Sequence, residues 1–385
     1  MKVAAVLPSI EYFSPKRGGA LAIWAYQVYK RSAFDVKVIA PVDNDPYATP
    51  LSVTCSPSSL IKILREALQN RSAKGLLNPI KTWLRDSYGR KAASICRSWQ
   101  PDIIHVQNEY WAIHNIKKHN PNSRIILHMQ NDHLIEGSDV RRVEQCCCIA
   151  DSIVFCSEYI RQNALKTFPS LAQKNTAVIF NGADKPKSNH SIRHFNEDPR
   201  LLFVGRIVPQ KGLHLLLDAI EDVFIRYPKA TLRIVGGVRF GCEEDDDYLL
   251  SLRKKAMPWG DRITFVGPIP HDKIHAEFSE ADLFVCSSVW NEPLGMVNAE
   301  AMAAGLPIVA FAKGGIPEVV GDAGILVQDL SSESLARAIN AVLSDCSLME
   351  NLSQRGLSRA INEFSWEVIS EVWNHQLQVV NSLHS

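Results

Sequence analysis

Short, uniformly apolar runs recur along the whole chain, each separated from the next by a longer segment rich in helix formers, and this alternation constrains the fold more than any other feature. In the first half the runs are KVAAVL (2–7), DVKVIA (35–40), DIIHV (102–106), RIILHM (124–129), SIVFC (152–156) and AVIF (177–180). In the second half they are LLFVG (201–205), TLRIVG (231–236), ITFVG (263–267), LFVCSS (283–288), PIVAF (307–311) and ILV (325–327). A strand with one face in water alternates apolar with polar residues. These runs are apolar at nearly every position, the pattern of parallel strands covered by helices on both faces.

Between the two sets lies ADKPKSNHSIRHFNEDPR (183–200), polar and bracketed by prolines. The composition predicts an N-terminal domain over 1–182, a linker over 183–199 and a C-terminal domain over 200–363. The final segment, 364–385, carries Trp366, Ile369, Trp373, Leu377 and Val380 at helical spacing, and is expected to pack near the interdomain junction. The fold class is therefore α/β, with two doubly wound Rossmann-like domains in tandem. Such sheets bind ligands at the carboxyl ends of their strands, so two facing domains would enclose an interdomain cleft.

Composition removes several alternatives. Lysine and arginine total 42 against 41 aspartates and glutamates, a net charge of +1, so no global field favours nucleic acid. The N-terminal MKVAAVLPSIEYFSP is too short in its apolar run for a signal peptide, and no stretch approaches the ~20 apolar residues that span a bilayer. A cytoplasmic protein is expected. Any membrane contact would be peripheral, through residues 61–100, where Lys62, Arg65, Arg71, Lys74, Lys81, Arg85, Arg90, Lys91 and Arg97 face only Glu66 and Asp86. The cysteines number 9, with Cys146, Cys147 and Cys148 adjacent and no C-x-x-C pair, which favours reduced thiols over a zinc site or a disulfide framework. The acidic run 243–247 reads as a solvated loop, and no metal site is expected.

The stretch VWNEPLGMVNAEAMAAGLPIVAFAKGGIPEVV (289–320) concentrates the chemistry. It follows the apolar run LFVCSS, so Glu292 falls in the loop at a strand's carboxyl end. Met296 to Ala304 is rich in helix formers, which places Gly295, Met296 and Val297 at a helix N-terminus. Unpaired amides and the helix dipole suit that position to phosphate. Glu300 lies about one turn further in, where a carboxylate can accept two hydrogen bonds from a vicinal diol such as a ribose. Upstream, in FVGRIVPQKGLHLLLDAI (203–220), Arg206 follows a strand and Lys211 opens a helix, and two cations so placed can neutralise a leaving diphosphate.

EPLGMVNAEAMAAGLPIVA (292–310) resembles the signature of the family 4 retaining glycosyltransferases, a glutamate and a second glutamate separated by seven residues. Those enzymes have the GT-B fold of two facing Rossmann-like domains. The resemblance implies that Glu292 lies beside the donor sugar, that Glu300 binds the nucleotide ribose, and that Gly295, Met296 and Val297 offer amides to the diphosphate and sugar. The G-R-x-x-x-x-K-G pattern is shared as well, which implies that Arg206 and Lys211 clamp the diphosphate. Gly236 ends one strand and Val266-Gly267 another, and family usage sets the base against the latter segment.

The N-terminal half matches less closely. PKRGGALAIWAYQVYK (15–30) is not a G-x-G-x-x-G fingerprint, which argues against a nicotinamide or flavin site, and it resembles the family's glycine-pair loop, where Gly18 and Gly19 would bring backbone near the donor phosphate or the acceptor. The family often continues with an acidic residue where this chain has GGALA. By the same resemblance His128, at the end of RIILHM, would point at the donor sugar, with Asn131, Asp132 and His133 toward the acceptor and His105 and Glu109 as weaker candidates. Asn181-Gly182 matches the family's interdomain junction.

The reading is a retaining, metal-independent hexosyltransferase without cofactor. Its donor would be a nucleoside-diphosphate sugar such as a UDP-sugar, and its acceptor a cell-envelope glycan or glycolipid such as lipopolysaccharide core or surface polysaccharide. The alternatives are a phosphorylase or epimerase on the same fold, or a non-catalytic structural or coat-assembly protein that keeps it.

Overall fold

A computed structural model of the chain describes residues 1–41, 43–54, 78–135, 140–184, 196, 198–238, 246–270 and 273–383. It divides into two compact units, Met1–Phe180 with Ile369–Ser385, and Asn181–Val368. Each is built on its own parallel sheet.

In the first unit the strands are β1 (Lys2–Val6), β2 (Asp35–Ala40), β3 (Ser52–Thr54), β4 (Ile103–Gln107), β5 (Arg124–Met129), β6 (Ser152–Phe155) and β7 (Asn175–Val178). Their spatial order is β3-β2-β1-β4-β5-β6-β7. The second unit holds β8 (Arg200–Val204), β9 (Thr231–Val235), β10 (Ile263–Gly267), β11 (Leu283–Cys286), β12 (Ile308–Phe311) and β13 (Ile325–Val327), in the order β10-β9-β8-β11-β12-β13. The uniformly apolar runs become central strands because helices cover both faces: every residue of β4, β6, β11 and β12 is buried. Two edge strands depart from the expectation. β3 is short and contains Ser52 and Thr54, so it has no apolar run to betray it, and β7 begins at Asn175, earlier than its apolar residues do.

The covering helices show the matching period. Leu213–Arg226 buries Leu213, Leu216, Leu217, Ile220, Val223 and Phe224 along one stripe, and it packs beside the helix Ser332–Leu343. The C-terminal segment forms the helix Trp366–Ser382. Residues 364–368 belong with the second unit, where the Ala183 amide donates to the Phe364 carbonyl at 2.7 Å. From Ile369 the chain joins the first unit, with Trp373 wholly buried and its ring 4.9 Å from that of Trp24. Most of the expected linker (185–195 and 197), most of the acidic run and residues 61–77 of the basic stretch lie outside the described residues.

Both sheets reverse their winding beside the first strand of the unit, between β1 and β4 and between β8 and β11. At such a point the loops leaving the two adjacent strands part to opposite faces and open a crevice at their carboxyl ends.

Candidate functional site

In the second unit the crevice lies between the loop after β8, which carries Arg206 and Lys211, and the loop after β11, which carries Glu292. Two residues 81 positions apart in sequence thereby meet: Lys211 Nζ pairs with Glu292 Oε1. Both side chains are largely buried, at 21% and 7% exposure. The turn that presents Lys211 depends on Gly212, whose φ is 66° and whose missing Cβ leaves room for the Ser287 carbonyl at the end of the neighbouring strand. Ser287 Oγ donates to the Lys211 carbonyl at 3.1 Å, and Val289 N to the Gln210 carbonyl at 2.9 Å, so the two loops are stitched together. Burial, with the Glu292 carboxylate adding to it, pushes the thiol of nearby Cys286 up to about 11, so that sulfur stays protonated and takes no part as a nucleophile at neutral pH.

Glu292 is held from a second side. The Gly314-Gly315 turn that follows β12 lies against its backbone, with Gly315 N donating to the Glu292 carbonyl at 2.7 Å. A Cβ on Gly314, whose φ is 59°, would stand 2.5 Å from Glu292 N, and one on Gly315 2.5 Å from the Pro293 carbonyl oxygen. Only glycine fits either place.

The helix Met296–Ala303 starts from Gly295 in the left-handed region, φ 85°. The Asn298 side chain steadies that turn by donating to the Gly295 carbonyl at 3.0 Å. The amides of Met296 and Val297 precede the first intrahelical bond and are donors for an anion. Glu300 lies on this helix, half-buried, one turn further in. Arg206 is exposed and makes no ion pair among the described residues, so its charge is available while that of Lys211 is shared with Glu292. On the other side of Arg206, Gly236 N donates to the Gly267 carbonyl at 2.9 Å, which joins the ends of β9 and β10. The ladder skips Val266, where a register shift between Phe265 and Gly267 leaves a small bulge. Arg206, Lys211, Gly236, Val266, Gly267, Glu292, Gly295, Met296, Val297 and Glu300 thus all lie at the carboxyl edge of one sheet, and every one of them belongs to the second unit.

The first unit places its predicted residues differently. Gly18 N donates to the Ser14 carbonyl at 2.9 Å, and the amides of Gly19 and Ala22 both donate to the Glu11 carboxylate, at 2.6 and 3.2 Å. The chain's own carboxylate therefore occupies the helix N-terminus that the glycine-pair loop was expected to offer a phosphate. Burial raises the Glu11 pKa, against the two amides that favour its charge. Glu11 is also an acidic group at this loop, reached from upstream where the family's comes downstream.

His128 is the penultimate residue of β5. It is fully buried, with its ring 4.8 Å from Trp24 and 5.6 Å from Trp373 and its Nδ1 3.2 Å from His105 Nε2. Burial lowers its pKa to about 3. This is a neutral core imidazole, and the expected contact with a donor sugar does not fit its enclosure. The polar groups at the carboxyl ends of β4 and β5 are others. Among the described residues the side-chain amides of Gln107 and Gln130 are buried without hydrogen-bond partners, and Asn108 Oδ1 accepts from Gln130 N at 2.7 Å. Asn131 Oδ1 accepts from His133 N at 3.1 Å, and Glu109 Oε1 accepts from Ser9 N at 3.0 Å. Neither glutamine carries a sequence motif. The available sign was their position one or two residues past apolar strand residues.

Residues 184–359 match the family described as Glycosyl transferases group 1. YtcC of Bacillus subtilis (strain 168), a protein assigned as a glycosyltransferase, is 33% identical over 288 residues, 70% of this chain and 70% of its own length. The chain belongs to this family. The lipopolysaccharide 1,2-N-acetylglucosaminetransferase of Salmonella typhimurium is 26% identical across 98% of both chains. Among solved structures, Anabaena Alr3699/HepE in complex with UDP-glucose superposes with a TM-score of 0.71 at 19% identity, covering 98% of this chain and 100% of that one. The shared fold is GT-B, and the protein is a glycosyltransferase by family. Among the described residues no group of three or more histidine, cysteine, aspartate or glutamate side chains is placed to hold a metal, and no helix is long and apolar enough to cross a membrane.

Proposed function

We propose that this glycosyltransferase moves a hexose from a UDP-sugar to a cell-envelope glycan, with retention of anomeric configuration and without a divalent metal. The observation that carries the reading is the ion pair of Lys211 with Glu292 beside the unpaired amides of Met296 and Val297, with the uncompensated Arg206 across the same crevice. Breaking the anomeric carbon–phosphate bond leaves negative charge on the diphosphate. Two cations and the positive end of a helix aimed at that charge can lower the barrier by several kcal/mol in the role a metal plays elsewhere. Glu300 would take the ribose and Glu292 the donor sugar. The acceptor attacks on the face the diphosphate leaves, and the departing phosphate helps to take its proton. The acceptor class is drawn from the lipopolysaccharide transferase among the relatives, and a cytoplasmic site with peripheral membrane contact through residues 61–100 goes with such an acceptor.

NMR of the first product formed from an α-linked donor tests the stereochemistry, and a β-linked product refutes retention. Turnover that persists in EDTA, with severe loss in Arg206→Ala and Lys211→Ala, is the expected outcome for the charge argument. Turnover abolished by EDTA and restored by a divalent cation refutes it.

A further inference from the structure

Ser288 has no counterpart among the residues assigned so far, yet it touches the most buried charge of the site. Its hydroxyl is buried, 1% exposed for the residue, and donates to Glu292 Oε1 at 2.6 Å. The Gln210 carbonyl is also near, at 3.2 Å, but a hydroxyl has one hydrogen, and the shorter, charge-assisted bond to the carboxylate takes it. Lys211 Nζ meets the same oxygen. Oε1 is thus held by two donors, whereas Oε2 has no hydrogen-bond partner among the described residues and is not sealed from solvent. The Gly314-Gly315 turn fixes the backbone of Glu292, which leaves its side-chain torsions as the remaining freedom, and Ser288 and Lys211 restrict those.

We propose that Ser288 is a positioning residue: by holding Oε1 it turns Oε2 of Glu292 toward the crevice as the acceptor for a donor-sugar hydroxyl. The division of labour within one carboxylate follows. One oxygen anchors the group and neutralises Lys211, and the other reads the ligand. Lys211 alone does not suffice, because a lysine is a flexible point charge that follows the carboxylate through several rotamers, and it is itself drawn toward the diphosphate when donor binds. Ser288 sits on the short segment after β11, whose backbone is tied to the 209–212 turn, and it is not drawn away.

The inference rests on the proposed role of Glu292 at the donor sugar. The test compares Ser288→Ala with Ser287→Ala, since Ser287 is equally buried and bonds the Lys211 carbonyl without touching Glu292. In calorimetry Ser288→Ala should bind UDP within about twofold of wild type but lose the extra affinity for UDP-sugar over UDP. Its kcat should fall by about tenfold or more with a smaller change in KM, Ser287→Ala should lose much less kcat at a similar loss of thermal stability, and Ser288→Thr should recover part of the activity. A kcat for Ser288→Ala within about twofold of wild type, or equal losses in the two alanine variants, overturns the proposal. A wild-type protein that turns over no nucleotide sugar would count against the proposed function instead. The crystal structure of Ser288→Ala then still decides the positional claim, because a Glu292 carboxylate unmoved on Lys211 overturns it.

Discussion

Single residues in this site act through hydrogen bonds that a neighbouring strand makes possible. Glu300 is the clearest case for substitution, since a charge-assisted contact to a ribose contributes roughly 1.5–3 kcal/mol. Glu300→Ala is expected to weaken UDP itself by about tenfold or more, while Glu292→Ala chiefly lowers turnover. Titration calorimetry with UDP decides it, and an unchanged affinity in the Glu300 variant sinks the ribose role. Two glycines at the carboxyl ends of β9 and β10 offer a sharper contrast. Gly236 has φ 136° and its missing Cβ would overlap the Gly205 carbonyl, whereas Gly267, at φ 83°, has nothing within 4 Å of where a Cβ would stand. Gly267→Ala should cost only the backbone strain, about 1 kcal/mol, and Gly236→Ala several times that. Thermal melts of the two variants check the order, and equal melting temperatures would show that the backbone at Gly236 yields without penalty.

At the scale of an element, the helix Trp366–Ser382 packs through Trp373 on buried titratable groups. Trp373 lies with its ring 4.4 Å from His105 and 5.6 Å from His128, and Tyr29 OH pairs with His105 Nδ1 at 2.8 Å. Burial, and then the neighbouring His128, hold His105 well below 6.5, and burial alone lowers His128 to about 3. An unfolded chain protonates both near 6.5, so below that pH the unfolded state binds more protons than the native one. Stability is full above about pH 6.5 and falls as pH drops below it, over a span that for His128 reaches about 3. Denaturant unfolding of the first unit, followed by tryptophan emission, should show a lower midpoint at pH 5 than at pH 7.5. Coincident midpoints would mean that these imidazoles already carry protons in the native state. The same enclosure explains why a histidine in RIILHM read as a strand-end ligand: its neighbours Trp24 and Trp373 come from residues more than a hundred positions to either side, and no local pattern shows them.

For the whole molecule the consequence is two cores with separate sensitivities. Every residue proposed to hold the nucleotide belongs to the second unit, so UDP should raise the unfolding transition of that unit, by about 2.7 kcal/mol at a hundred times Kd. Scanning calorimetry with and without UDP checks this, and a shift confined to the acid-sensitive transition of the first unit would overturn the assignment. Much of this architecture was legible beforehand, because a buried parallel strand must be apolar on both faces and a covering helix on one, and those demands are written locally in runs such as LFVC and in the stripe from Leu213 to Phe224. The motif residues were legible for a related reason. Glycines at left-handed turns, a lysine before one of them, and glutamates eight apart across a loop-to-helix junction are each demanded by local geometry. What joined them was the strand order. The adjacency of β8 and β11 puts Lys211 on Glu292, and that of β11 and β12 sets Gly314-Gly315 behind it, while Ser288 reaches the same carboxylate from four residues away within the loop after β11. In the first unit the tertiary structure also decided against local appearance. It sealed His128 into the core and spent the helix N-terminus after Gly18-Gly19 on Glu11. Sequence determines which segments are strands, turns and helices because those choices are made by neighbouring residues; which side chains meet is decided only when distant strands pair.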